Sequence, residues 1–180
     1  MIKNFNNKSE KVWDDLKKSI TKGSKLDIAA AIFSIYGYES LKKELNNIDK
    51  LRFIFTDPTF VEFDKKSREQ KMFEITSNNI KKSIGWTNFE INLKNKLKWK
   101  AIAKECREWI EKKVSFKSNI TNRHVAPQVI LKNADTESIY MGMNEFSSAG
   151  LWYENDNAIL SYVMKTDEIQ TTKEFIKNFD

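Results

Sequence analysis

The feature that most constrains the fold is an unbroken apolar run from Ile28 to Phe33. It stands in a chain whose mean hydropathy is −0.60, so it is an island of core-forming residues. A run that never alternates suits a strand covered on both faces, the usual situation of a central parallel strand. Gly37 breaks the run, and Tyr38, Leu41 and Leu45 then mark a short helix. Leu51 to Thr56 is the next strand, stopped at the Asp57-Pro58 turn. Strand, helix and strand in so short a span is a parallel crossover unit.

The same periodicities organise the rest. Ser9 is placed to cap a first helix carrying Trp13, Leu16 and Ile20. Residues 59–90 are polar with scattered aromatics, and read as irregular around one helix from Ser67 to Lys82. From Leu93 a helical stripe of Leu97, Ala101, Ile102, Cys106, Trp109 and Ile110 predicts a core-facing helix. Strands are expected at Val114–Lys117, Val129–Lys132, Ile139–Met143 and Ala158–Met164. A last helix should be capped by Thr166, with Asp167 and Glu168 at its positive end and Ile169, Thr172, Ile176 and Phe179 facing inward. The expected class is α/β: a mixed, largely parallel central sheet flanked by helices on both faces. One domain should cover residues 1–180. Its helical pattern still runs at Asp180, as in the N-terminal part of a longer protein.

Composition narrows the function. No apolar run is long enough to cross a bilayer, and the polar start, Met1 to Lys8, lacks the core of a signal peptide. A single cysteine, Cys106, precludes an internal disulfide and fits the reducing cytoplasm, the expected location. The net charge of +6 is uneven: residues 91–120 carry an excess of +6, whereas 121–180 carry −4. Lys96, Lys100, Lys104 and Arg107 fall at helical spacing on the side away from the apolar stripe. Such a ridge is a footprint for DNA or RNA, and equally the form of a solvated helix face.

One histidine, His124, removes many chemistries. There is no His pair for zinc, no CxxC, no glycine-rich phosphate loop and no GxSxG elbow. No metal or cofactor is expected. Two turns stand out instead. The first is Phe33-Ser34-Ile35-Tyr36-Gly37, at the end of the apolar run. The second runs from Met141 through Gly142, Met143, Asn144, Glu145, Phe146, Ser147, Ser148 and Ala149 to Gly150-Leu151. In order and spacing these parts resemble the phospholipase D-like domains of bacterial nucleases, restriction enzymes and helicase-type defence proteins. That family has a Phe-Ser-x-x-Gly turn, a strand bearing His-x-Lys, and a Gly-Ser-x-Asn turn running into Phe-Thr-x-x-Gly-Leu. The resemblance covers most of the chain apart from residues 59–113.

The resemblance implies a metal-independent phosphodiesterase in which one histidine attacks phosphorus and a second protonates the leaving oxygen. His124 stands at the family's histidine, with Lys132, Gln128 and Ser34 as further candidates on the catalytic list. Gly142, Met143, Glu145 and Ser147 stand in the phosphate-binding turn. The departures are specific. Ala126 replaces the motif lysine, Leu131 a following Asp, and Met143 and Glu145 the turn's Ser and Asn. An Asn-x-Glu that follows the turn in the family falls on Asn155 and Asn157. The missing Lys and Asn would contact the non-bridging oxygens, and losing one such donor costs about a hundredfold or more in rate.

The expected function is therefore a nucleic-acid-binding phospholipase D-like domain derived from a nuclease, from a restriction or helicase system. One alternative is a catalytically dead copy serving as a DNA-binding or assembly module, and another is a small phage-type inhibitor. Expected partners are DNA or RNA, a helicase domain in the same or another chain, and a second copy of this chain, but no membrane. The homodimer follows from needing two histidines with one per chain. Its expected contacts are Pro127–Lys132, Gly142–Phe146 and the aromatic segment Leu151-Trp152-Tyr153.

Overall fold

The computed structural model describes residues 2–6, 8–56, 98–119, 125–153 and 162–180, with side chains of the third stretch described from residue 101. Nine strands and five helices lie within them: β1 (Ile2–Asn6), α1 (Val12–Ser19), β2 (Lys25–Ala30), β3 (Ile32–Phe33), α2 (Ile35–Ser40), α3 (Lys42–Leu45), β4 (Lys50–Phe55), α4 (Lys98–Lys113), β5 (Val114–Ser118), β6 (Gln128–Lys132), β7 (Glu137–Met141), β8 (Glu145–Phe146), β9 (Tyr162–Thr166) and α5 (Ile169–Phe179). The expected helix within Ser67–Lys82 falls outside the described residues.

Seven strands form one mixed sheet in the order β1-β9-β7-β6-β2-β4-β5, and β3 and β8 make a two-stranded appendage. The parallel crossover is present: β2 and β4 pair in parallel, Leu26 opposite Leu51, and β4 pairs in parallel with β5. The four remaining pairings are antiparallel, so parallel neighbours are confined to one half of the sheet. Strand direction is nevertheless mostly uniform, since only β6 and β9 run against the other five.

β2 behaves as its composition demands, with every residue after Lys25 buried. Leu26, Ile28 and Ala30 face the larger core, with Leu51, Phe53, Val129, Leu131, Tyr140 and Val163. Val12 and Leu16 of α1, Tyr38 of α2, Leu45 of α3, and Cys106 and Trp109 of α4 cover that face. Each fully buried large apolar side chain contributes about 1.5–3 kcal/mol over its exposed state. The other face is smaller: Ala29, Ile130 and Ile139 pack with Phe179, Phe175 and Ile176 of α5. Cys106 is a core residue, its thiol pushed up to about 12 by burial and then by nearby Glu39. Among the described residues, no helix is long and apolar enough to cross a membrane.

Several local expectations change. β1 was not anticipated; its partner is β9, in the register Ile2 to Thr166, and Phe5 is its one buried residue. Ser9 does not cap α1, because its backbone and hydroxyl are held by the Asn6 side chain, and Lys11 takes the N-cap position. Thr166 ends β9, and Glu168 caps α5 by accepting from the N–H groups of Gln170 and Thr171. This start turns Ile169 outward, where it is 69% exposed. The apolar run is split in two, since Ala31 leaves the sheet and donates its N–H to Asn144 O at 2.9 Å.

Two carboxylates tie the layers together. Asp15 of α1 accepts from Lys165 Nζ and Tyr140 Oη, each at 2.6 Å, which clamps the helix onto β7 and β9. Asp27, buried on β2, receives Arg52 Nε at 2.5 Å, Arg52 Nη2 at 2.6 Å and Lys132 Nζ at 2.7 Å. Burial alone would raise the Asp27 pKa, but the bonds from Arg52 and Lys132 outweigh it and hold the carboxyl below its usual range. Such a group stabilises the fold fully above its unfolded pKa of about 3.9, and this contribution is lost as pH falls through the lower folded value. Replacing Asp27 by Asn should cost about 3 kcal/mol in urea titrations at pH 7, because it removes the counter-charge of Lys132 and leaves Arg52 with Asp180 alone. The wild-type and variant stabilities should converge as the medium is acidified below pH about 4.

Candidate functional site

The carboxyl ends of β2, β4, β5 and β7 and the amino end of β6 lie along one edge of the sheet. There the two turns singled out in the sequence are joined. β3 pairs in parallel with β8, Ile32 opposite Glu145 and Phe33 opposite Phe146. The Ser34 N–H donates to Phe146 O at 2.8 Å, extending the pairing by one bond. The Phe33 and Phe146 rings stack with centroids 5.6 Å apart. Glycine makes the approach feasible. A Cβ on Gly37 would lie 2.6 Å from Phe146 O, and one on Gly150 would fall inside the van der Waals surface of Glu145 O. Gly142 adopts φ +94°, a left-handed conformation that side chains strain to reach.

The side chains of these turns are turned to structure. Ser34 is buried and caps α2, its hydroxyl oxygen accepting from the Tyr36 N–H at 3.1 Å. Ser147 is also buried; its hydroxyl donates to Glu145 Oε2 at 3.1 Å and accepts from the Gly150 N–H at 2.9 Å. Met143, in the turn's Ser position, is buried in the larger core. Within the turn, the Ser147 hydroxyl is engaged, Met143 is in the core, the Asn144 side chain is exposed, and Glu145 adds a carboxylate.

β6 runs into this turn through β7, and begins at Gln128, which lies between Ala29 and Met141. Gln128 is buried, and its Oε1 has no hydrogen-bond partner among the described residues. Positions alternate along a strand, so Gln128, Ile130 and Lys132 share one face. His124 lies outside the described residues, four positions before this strand. Lys132, expected as a substitute for the motif lysine, stands at the other end of β6. It sits four residues along β6 from Gln128, about 13 Å in extended chain, and is bound to Asp27.

The basic ridge is partly described. Lys96 lies outside the described residues, and of Lys100 only the backbone, in α4, is described. Lys104 and Arg107 extend into solvent, each beside a carboxylate one turn on: Glu108 at 4.0 Å and Glu111 at 2.9 Å. Of the expected dimer contacts, β6 and Trp152 are internal, whereas Tyr153 is 40% exposed. β6 is paired on both sides, with β2 and β7, and has no free edge. Trp152 is buried, at φ +58°, while Tyr153 packs its ring 5.1 Å from Trp13. Among the described residues, no group of three His, Cys, Asp or Glu side chains stands ready to hold a metal.

The Asp27 network is the feature that sequence reasoning overlooked. A signal was there: one acid between Leu26 and Ile28, in a strand read as fully buried, requires a partner.

Fold and site together define an α/β domain with a glycine-clasped pair of turns at the carboxyl edge of a mixed sheet. No protein-family model matches the chain, and no curated protein matches it. Among solved structures it is similar to a mutant of yeast tyrosyl-DNA phosphodiesterase 1, at 11% identity and a TM-score of 0.46, over 92% of this chain. The match takes in 32% of that protein's length, so the chain spans about a third of it.

Gly150→Ala should push the Glu145 carbonyl away and open the clasp, since the obstructing atom is backbone. The expected loss is several kcal/mol in a denaturant titration, on the order of 3. Gly23→Ala is the contrast, strained by its φ of +85° but meeting nothing closer than 3.8 Å, and should cost on the order of 1 kcal/mol.

Proposed function

We propose that the chain is a phospholipase D-like domain that holds nucleic acid without cleaving it, a binding or assembly module derived from a nuclease. The observation that carries this reading is the pairing of β3 with β8. Their backbone arrangement joins the two turns quoted for the resemblance, which supports the descent. The side chains at the motif positions, however, are Ala126, Met143 and Glu145, where the family carries a lysine, a serine and an asparagine to contact the phosphate oxygens. A carboxylate at the turn also repels a phosphate rather than stabilising its developing charge.

Binding is assigned to the exposed face of α4, where Lys104 and Arg107 reach solvent. Their neighbours Glu108 and Glu111 offset part of the charge, so the surface suits moderate, salt-sensitive association rather than tight capture. The reading leaves a second copy of the chain as an assembly option, through surfaces other than β6 and Trp152.

The experiment pairs fluorescence anisotropy on a labelled oligonucleotide with a cleavage assay. Wild-type protein should bind, with affinity falling as salt rises, and leave the strand intact with or without EDTA. The double reversal Lys104→Glu and Arg107→Glu should weaken binding and reduce the slope against log salt by about two. An unchanged slope and affinity would remove the α4 assignment. Cleavage that persists in EDTA and disappears in His124→Ala would replace the binding module by an active enzyme.

A further inference from the structure

The edge of the sheet opposite the glycine clasp gathers cations. β4, β2 and β6 set Lys50, Lys25 and Lys132 side by side in register. Two residues further along β4 and β2, on the same face, stand Arg52 and Asp27. These five residues line a cavity of about 100 Å³. Four cations therefore face one carboxylate, and that carboxylate is already engaged by Arg52 and Lys132.

Other acids lie nearby, among them the exposed Asp49, next to Lys50 and donating its N–H to Ser24 O beside Lys25. Asp180 bonds Arg52 Nη1 at 2.6 Å, and the guanidinium carbon lies 4.9 Å from the Phe179 ring centroid. Glu137, opposite Lys132 on β7, lies outside the cavity lining and makes no ion pair with it among the described residues. Lys25 and Lys50 are exposed, directly opposite each other on neighbouring strands, and likewise make no ion pair among the described residues. Like charges so placed destabilise a sheet unless an anion lies between them.

We propose that this cavity is a binding site for a phosphate group. Arg52 is held flat by its fork onto Asp27, with three of its five N–H donors in use and two left over. The Lys25 and Lys50 ammonium groups supply mobile donors at the rim, so the site combines a fixed fork with two adjustable point charges. The cavity has room for a few waters, each needing about 30 Å³, or for one tetrahedral oxyanion in their place. A multiply charged oxyanion satisfies more of these donors than a carboxylate does. This site is independent of the function proposed above, because it lies at the other edge of the sheet from the turns and involves no residue of α4.

Calorimetric titration with inorganic phosphate at constant ionic strength tests the assignment, using wild type and the double variant Lys25→Ala, Lys50→Ala. Wild type should bind saturably, and the variant about tenfold more weakly or worse. Both lysines begin their strands at exposed positions, so the variant should fold, with a phosphate-free Tm at least equal to wild type once the repulsion is relieved. No saturable binding to wild type, or equal affinity in the variant, would overturn the site. A single-stranded oligonucleotide added as competitor distinguishes the source of the phosphate. Displacement of bound phosphate identifies a nucleic-acid backbone, and its absence identifies a free small anion. The Lys104, Arg107 reversal should leave phosphate affinity unchanged, which separates this site from the α4 surface.

Discussion

The Asp27 carboxylate sets the alignment on which the rest of the sheet depends. It lies on β2, inside the sheet, and receives cations from the strands on either side, Arg52 of β4 and Lys132 of β6. Through Arg52 it also reaches Asp180, beside the end of α5. The net energy of such a buried cluster is modest, because desolvation offsets much of the attraction. Its main effect is on register. A slip of one residue along β2 would turn Asp27 into the larger core, among Leu26, Phe53 and Leu131, where no counter-charge waits. Apolar residues tolerate approximate placement, whereas this acid tolerates one.

Once the register is set, the position of the turns follows. β2 ends at Ala30, the chain leaves the sheet at Ala31, and Asn144 O is there to receive its N–H. The clasp that follows is made of backbone bonds and glycine contacts, with Phe33 stacked on Phe146. No side chain of the chemical kind is needed for it. The clasp therefore asks little of the exposed side chains beside it, such as Asn144. Scaffold and chemistry are encoded separately here, the first in glycines and carbonyls, the second in side chains free to change.

What was legible in the sequence follows the range of the interactions concerned. The β2 run, β4, the crossover between them and the apolar stripe of α4 are local patterns, and all were readable. The two turns were readable because glycine spacing reports close approach directly. β1 was hidden because Asn4 and Asn6 blur its alternation, and its partner is near the far end of the chain. The start of β6 at Gln128 depends on pairing with Ala29 and Met141, so no inspection of residues 124–132 alone could set it. Lys132 invited a catalytic role for the same reason: the acid that occupies it comes from β2.

The pairing of β1 with β9 also bears on the order in which the molecule assembles. Among the described strands, β1 comes earliest in the sequence and its one partner, β9, comes latest. The β6–β7 hairpin, closed by the Asn133 N–H on Thr136 O, and the unit of β2, α2, α3 and β4 can each form from neighbouring residues. Contacts of high sequence separation pay their loop-closure entropy late and form slowly. Until β9 arrives, β1 is a bare segment with an exposed Ile2 and unpaired backbone groups, open to pairing with another chain. A chain whose β9 has yet to pair therefore carries an aggregation hazard at β1.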